Sequence, residues 1–149
     1  MSKEMSFEEI LEKDGVLTYT NKGVSMKPLL REDRDVMVIK KKTTQNCRCL
    51  DAVLYKRPGV VGRGAYVLHR ILRVNGDGTY WIVGDNCTQG ETVAESQILG
   101  ILTAVVRDGK TVSVNDIKYR LYVNIWCRWY KLRFFILNAR KRLKTLKNK

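Results

Sequence analysis

Tyr66–Val74 is a nine-residue run dominated by aliphatic and β-branched side chains; Asn75-Gly76-Asp77-Gly78 follows, and then a second such run at residues 79–83. Two β-prone runs separated by Asn-Gly and Asp-Gly steps predict a hairpin, because these residues reach the left-handed backbone region that a tight reversal needs. The same grammar recurs. Residues 98–107 and 111–114 form a second hairpin across Asp108-Gly109, and shorter runs at 16–20, 36–40 and 51–56 end in Asn21-Lys22-Gly23, in a polar loop over 41–49 and in Pro58-Gly59. Many short strands joined by glycine-bearing turns predict a mainly β, antiparallel, barrel-like domain. With 149 residues, 44% of them hydrophobic, the chain can build one core and is no disordered polymer.

Both ends of the chain depart from this pattern. Ser6-Phe7-Glu8-Glu9 is a capping box, which starts a short helix from residue 7 to about residue 13, stopped at Gly15. Met1-Ser2-Lys3-Glu4 leads into acidic residues rather than an apolar stretch, so no cleavable secretory signal is expected. No apolar run approaches the roughly 18 residues of a spanning helix. The expectation is a cytoplasmic protein, with the inner face of a membrane as a place of action, and with reduced thiols. Four cysteines are too few for a disulfide framework, and Cys47-Arg48-Cys49 with the scattered Cys87 and Cys127 is poor zinc spacing, so neither metal nor other cofactor is expected.

After Asn115 the period changes. Tyr122, Ile125, Trp129, Leu132, Ile136, Ala139, Leu143 and Leu146 recur three and four residues apart, which predicts one amphipathic helix. Residues 117–149 hold eleven Lys and Arg and no Asp or Glu, whereas residues 1–116 are nearly neutral at a net +2 of the whole chain's +13. The chain therefore divides into a β domain, residues 1–115, and a basic helical tail, residues 116–149. Any polyanionic partner meets the tail. Three arrangements compete: the helix packs on its own β body, pairs with another helix, or lies in an anionic membrane surface. The coincidence of Trp with Lys and Arg favours the third.

Two segments carry candidate chemistry. Ser25 stands between a glycine-containing turn and Pro28, a setting that exposes a hydroxyl and can aim backbone N–H groups at one point. His69 is the one histidine, in a strand whose same face carries Val67 and Ile71, so its ring is at least partly shielded. Serine and histidine together make a nucleophile and its general base, but spacing alone does not show that they meet.

Five motifs in order, over roughly residues 16–106, resemble the signal peptidase I family, in the broader group that includes the self-cleaving LexA-like repressors. They are Ser25-Met26-Lys27-Pro28, the looser Leu50-Asp51-Ala52-Val53-Leu54, His69-Arg70, Gly84-Asp85-Asn86 and Leu99-Gly100-Ile101. The resemblance implies that Ser25 is the nucleophile and His69 the base, in the Ser/His rather than the more common Ser/Lys branch. It aligns Glu91 with the acid that orients the histidine, with Asp85 as the other candidate, although in the family that residue more often braces the fold. Gly23 stands where some members carry an oxyanion-hole serine, which leaves oxyanion donation to backbone N–H groups, chiefly that of Ser25. Polypeptide substrate is expected as an added strand between residues 20–24, ending at Val24, and residues 66–68; Met26 and Leu68 are either pocket wall or core.

The reading is a serine endopeptidase that cleaves a precursor, leader or signal peptide, its activity rising through a step at about pH 6 to 7.5 where imidazole titrates. The alternatives are a LexA-like regulator that binds nucleic acid through the tail, and a peptide-binding relic without catalysis. Residues 1–24 are too short for a helix-turn-helix, and no Ala-Gly cleavage site precedes Ser25, which weighs against the regulator.

Overall fold

The computed structural model describes residues 4–44 and 46–148. The reading of Met1-Ser2-Lys3 therefore lies outside the described residues, as do Gln45 of the polar loop and Lys149 of the tail. The elements run α1 (Phe7–Asp14), β1 (Val16–Thr20), β2 (Val36–Lys41), β3 (Ala52–Lys56), β4 (Tyr66–Val74), β5 (Tyr80–Val83), β6 (Gly90–Val93), β7 (Ile98–Arg107), β8 (Lys110–Ser113), α2 (Ile117–Tyr122) and α3 (Tyr130–Lys147). Both hairpins form as expected. The capping box is present, with the Glu9 N–H donating to Ser6 Oγ at 3.2 Å and the Ser6 N–H to Glu9 Oε2 at 2.7 Å. The strand order is β1-β2-β7-β3-β4-β5-β6, every pairing antiparallel, with β8 added to β7. Among the described residues no ladder joins β6 back to β1, so the sheet is open, ending at β1, at β6 and at the β8 branch.

Strand β3 explains how one sheet encloses two cores. Its successive side chains alternate between faces. Ala52 and Leu54 enter a core shared with α1, β1, β2, β7 and α2, while Val53 and Tyr55 enter a second one with Ile71, Ile82, Val93 and Ile98. All four are buried. Each such aliphatic side chain removed from water stabilises the fold by about 1.5–3 kcal/mol.

The tail is not one continuous helix. Between α2 and α3, Val123–Cys127 forms a wide π turn, with the Arg128 N–H reaching the Val123 carbonyl at 2.9 Å. A bend at Trp129 follows, where φ is −88° and ψ 46°. The extra residue in the wide turn keeps Tyr119, Val123 and Cys127 all buried against the body, and the helix beyond it starts on a new bearing. Leu137 is buried further on, and Trp81 of β5 meets the rings of Tyr130 and Phe134 edge-on at 5.8 and 6.2 Å. The first half of the tail thus packs on the β body. Of the stripe from Tyr122 to Leu146, Tyr122 packs against the larger core, whereas Ile125, Trp129, Leu132, Leu143 and Leu146 stand exposed. No described helix is long and apolar enough to cross a membrane.

Candidate active site

The turn bearing Ser25 is built by the residues on either side of it. Gly23 has φ 84°, a left-handed conformation that a side chain would strain. Its N–H donates to Glu32 Oε1 at 3.0 Å, and its carbonyl accepts from Asn21 Nδ2 at 3.1 Å. Asn21 is itself fixed to the backbone of Asp35 and Asp33. The buried Asp35 carboxylate, held by Arg34, Arg107 and the Arg31 N–H, closes the loop's far end. Met26 is buried in the larger core and receives the Asp85 N–H on its sulfur at 3.5 Å, so of its two expected places it takes the core.

The Gly84-Asp85-Asn86 turn is sewn onto this loop. The Asn86 N–H donates to the Ser25 carbonyl at 2.8 Å and Asn86 Nδ2 to the Val24 carbonyl at 3.1 Å. Glycine is required at 84 by close approach. A Cβ there would lie 2.7 Å from the Ser25 carbonyl oxygen and 3.0 Å from His69 Nε2, so the serine turn and the ring nitrogen face the same small space. The motif that followed the histidine in the sequence is the spacer that brings serine and histidine together.

Ser25 and His69 line one cleft of about 440 Å³. Its walls carry Tyr19 and Asn21 from the β1 end and residues 66–69 from the start of β4, with Phe7 of α1 packed between Tyr19 and Tyr66 at ring-centroid distances of 4.8 and 4.6 Å. Strand β1 is a sheet edge. The pairing of β4 with β5 begins only at Arg70, so residues 66–69 pair with β3 alone. The cleft therefore lies between two unpaired strand edges. Leu68 is on its wall and in the core at once; Gly23, Val24 and Met26 do not line it. Among the described residues no group accepts the N–H of Ser25 or of Met26, and no hydrogen bond joins Ser25 Oγ to His69.

His69 is buried, and burial lowers its pKa from 6.5 to about 4. The ring is neutral at neutral pH, so any step that this imidazole sets is expected near pH 4 rather than at about pH 6 to 7.5. Its Nδ1 lies 3.4 Å from the Tyr55 hydroxyl, which donates to Glu91 Oε1 at 2.8 Å. Glu91 is also gripped by Arg57, with Nε 2.9 Å from Oε2 and Nη2 on Oε1. That grip, ahead of the Tyr55 bond, holds the Glu91 pKa below the usual carboxylate value. Glu91 thus reaches His69 through Tyr55 rather than directly.

Asp85 does something else. Burial pushes its carboxyl up, but the Arg70 guanidinium more than offsets this and holds it ionised. Arg70 Nε and Nη2 each bond it at 2.8 Å, and the Tyr122 hydroxyl donates to it at 2.7 Å. It acts on His69 through charge alone. Lys22, the lysine on the cleft wall, is hydrogen-bonded to Asp33, which raises its pKa and makes it a poor base.

Tyr55 and Arg57 are site residues that the sequence reading passed over. The available signal was strand alternation: once β3 pairs with β4 through Val53 and His69, Tyr55 is the diagonal neighbour on the histidine's face. Comparison with family models, with curated proteins and with solved structures returns no match, so the geometry of this cleft is what speaks for its chemistry.

Proposed function

We propose that the chain is a serine endopeptidase of the signal peptidase-like class, with Ser25 as nucleophile and His69 as general base. The observation that carries this is one cleft. A serine and a neutral histidine, 44 residues apart in sequence, line it together between two unpaired strand edges. An extended polypeptide can add to those edges as a strand, which presents its carbonyls in register to Ser25.

The chemistry follows from the ring's partners. Tyr55 gives its own proton to Glu91, so its oxygen is left to accept from Nδ1–H. That fixes the tautomer in which Nε2 is the free base. Nε2 takes the hydroxyl proton as Ser25 Oγ bonds to the peptide carbonyl carbon. The imidazolium returns the proton to the amine as the C–N bond breaks. Water, deprotonated by the same nitrogen, then releases the acyl group. The Oγ to Nε2 hydrogen bond forms when substrate fills the cleft. The unpartnered Ser25 N–H is the donor for the developing oxyanion. The substrates are precursor or leader-type peptides cut within an extended stretch, and the open sheet is read as a signal-peptidase-type β domain.

The test is labelling by a fluorophosphonate and cleavage of an extended peptide library. Ser25→Ala and His69→Ala each lower cleavage by about 10⁴-fold or more with the fold intact, and the double variant is hardly worse, since the two residues act as one unit. Full activity in either single variant removes the mechanism.

A further inference from the structure

Eight of the fourteen large hydrophobic side chains that stand most exposed among the described residues lie on the tail. They form one ridge. Ile117, Leu121 and Ile125 follow one another at four-residue steps, Trp129 stands at the bend, and Leu132 and Phe135 continue it on α3, with Leu143 and Leu146 beyond. Trp129 is 66% and Phe135 72% exposed, on the side away from the buried Tyr119, Val123, Cys127 and Leu137. The tail is apolar on two sides, and the β body covers one. From Arg140 to Asn148 every residue is exposed, with Lys141 at the rim of a hollow that Cys87, Gly90 and Glu91 of the body also line. Of the described cations in the tail only Arg133 is buried, and residues 117–149 hold no acidic residue.

We propose that this ridge docks the protein on an anionic lipid leaflet, with Trp129, Leu132 and Phe135 at the boundary between headgroups and acyl chains and the flanking Lys and Arg at the phosphates. Charge selects the occupant. A second copy would bring eleven further cations against these eleven, with no acid on either side of the contact. A nucleic acid would use the cations and leave a Trp, a Phe and several Leu and Ile in water. A lipid surface uses both, the apolar side chains by burial and each cation by roughly fivefold in partitioning. The proposal is independent of the peptidase reading, since none of its residues lines the cleft.

The full chain is sedimented with vesicles of phosphatidylglycerol and phosphatidylcholine, and with vesicles of phosphatidylcholine alone. Binding is expected to be at least tenfold stronger to the anionic vesicles and to weaken as salt rises from about 50 to about 500 mM. Trp129→Glu with Phe135→Glu lowers it at least tenfold, and Lys144→Glu with Lys147→Glu lowers it by a similar factor. All four sites are exposed, and unchanged thermal melts of both variants verify that the fold is kept. Equal binding to both vesicle types overturns the proposal, as does wild-type sedimentation of the Trp129 and Phe135 variant. So does a concentration-dependent dimer that Phe135→Glu abolishes, or salt-sensitive duplex binding in a protein that ignores vesicles.

Discussion

Asp85 and Glu91 stand six residues apart, and each was a candidate to orient His69. The structure gives them opposite surroundings. Asp85 is fully buried, with two bonds from Arg70, one from Tyr122, and Trp126 Nε1 on its carbonyl at 3.2 Å. Its partners come from β4 and from the tail, so it fastens the tail to the body. Glu91 keeps about a third of its side chain in water, is gripped by Arg57, and touches the histidine only through the Tyr55 hydroxyl. A dry, saturated carboxylate has no bonding capacity left with which to answer a proton moving nearby. A partly hydrated one, linked through a hydroxyl, does. The difference separates a carboxylate that ties the tail to the body from one linked by hydrogen bonds to the histidine, although both are acids near one ring.

The sharpest way to break this comparison is to remove each charge. Asp85→Ala leaves Arg70 buried without its counter-ion, beside Arg133, whose guanidinium nitrogens already lack hydrogen-bond partners. Stranding a buried charge costs about 3–5 kcal/mol, a large part of a small domain's stability. Urea denaturation of Asp85→Ala is expected to show a loss of that size, against less than about 1 kcal/mol for Glu91→Gln. Equal losses, or a fully stable Asp85→Ala, would show that Asp85 is no brace.

A second test uses pH. His69 has a folded pKa of about 4 against 6.5 unfolded. Between those values the unfolded chain binds a proton that the folded one refuses, so this contribution to stability is complete above about pH 6.5 and is lost as pH falls toward 4. At 1.36 kcal/mol per pH unit the loss is at most about 3 kcal/mol. The fall in stability between pH 7 and pH 4.5 is expected to shrink in His69→Asn. If His69 is the base of the proposed peptidase, kcat/KM is expected to hold level through neutrality and to fall with a midpoint near pH 4. A midpoint near 6.5 would mean that water reaches the ring and that burial does not set its proton affinity.

How far the sequence could lead is itself divided between these regions. The long strands and both hairpins were legible because Asn-Gly, Asp-Gly and alternation are local signals. β6 was missed, since Gly90-Glu91-Thr92-Val93 is four residues with a charge in it and shows as a strand only beside β5. The tail was legible as helix but not in orientation. It has two apolar sides, the side with the regular three-and-four spacing is largely exposed beyond Tyr122, and the buried side carries Arg133 and passes through a π turn that resets the register. Ser25, His69 and the Gly84 turn were marked by motif. Their convergence needed the fold, and so did Tyr55, whose bond to the ring crosses strands diagonally.

The smallest expected effect is also the most discriminating. If Tyr55 relays Glu91 to His69, then Tyr55→Phe removes one hydroxyl and leaves the ring packing, Arg57 and Glu91 in place. Nδ1–H loses its acceptor, so the imidazolium formed during acyl transfer is less stabilised and the tautomer with Nε2 free is less favoured. One hydrogen bond of this kind is worth about 1 kcal/mol, or roughly fivefold, and at 3.4 Å no more is expected. The loss should fall on kcat and leave KM unchanged, because the hydroxyl touches the base and not the substrate. Glu91→Gln should give a smaller loss of the same kind, since a neutral amide can still accept from Tyr55. Combining Tyr55→Phe with Glu91→Gln should be little worse than Tyr55→Phe alone, because the hydrogen-bonded route from Glu91 to the ring runs through that hydroxyl and leaves only the direct charge interaction beside it. An additive double variant would mean that Glu91 has its own route to the site, and an unchanged kcat in Tyr55→Phe would leave His69 oriented by its strand alone.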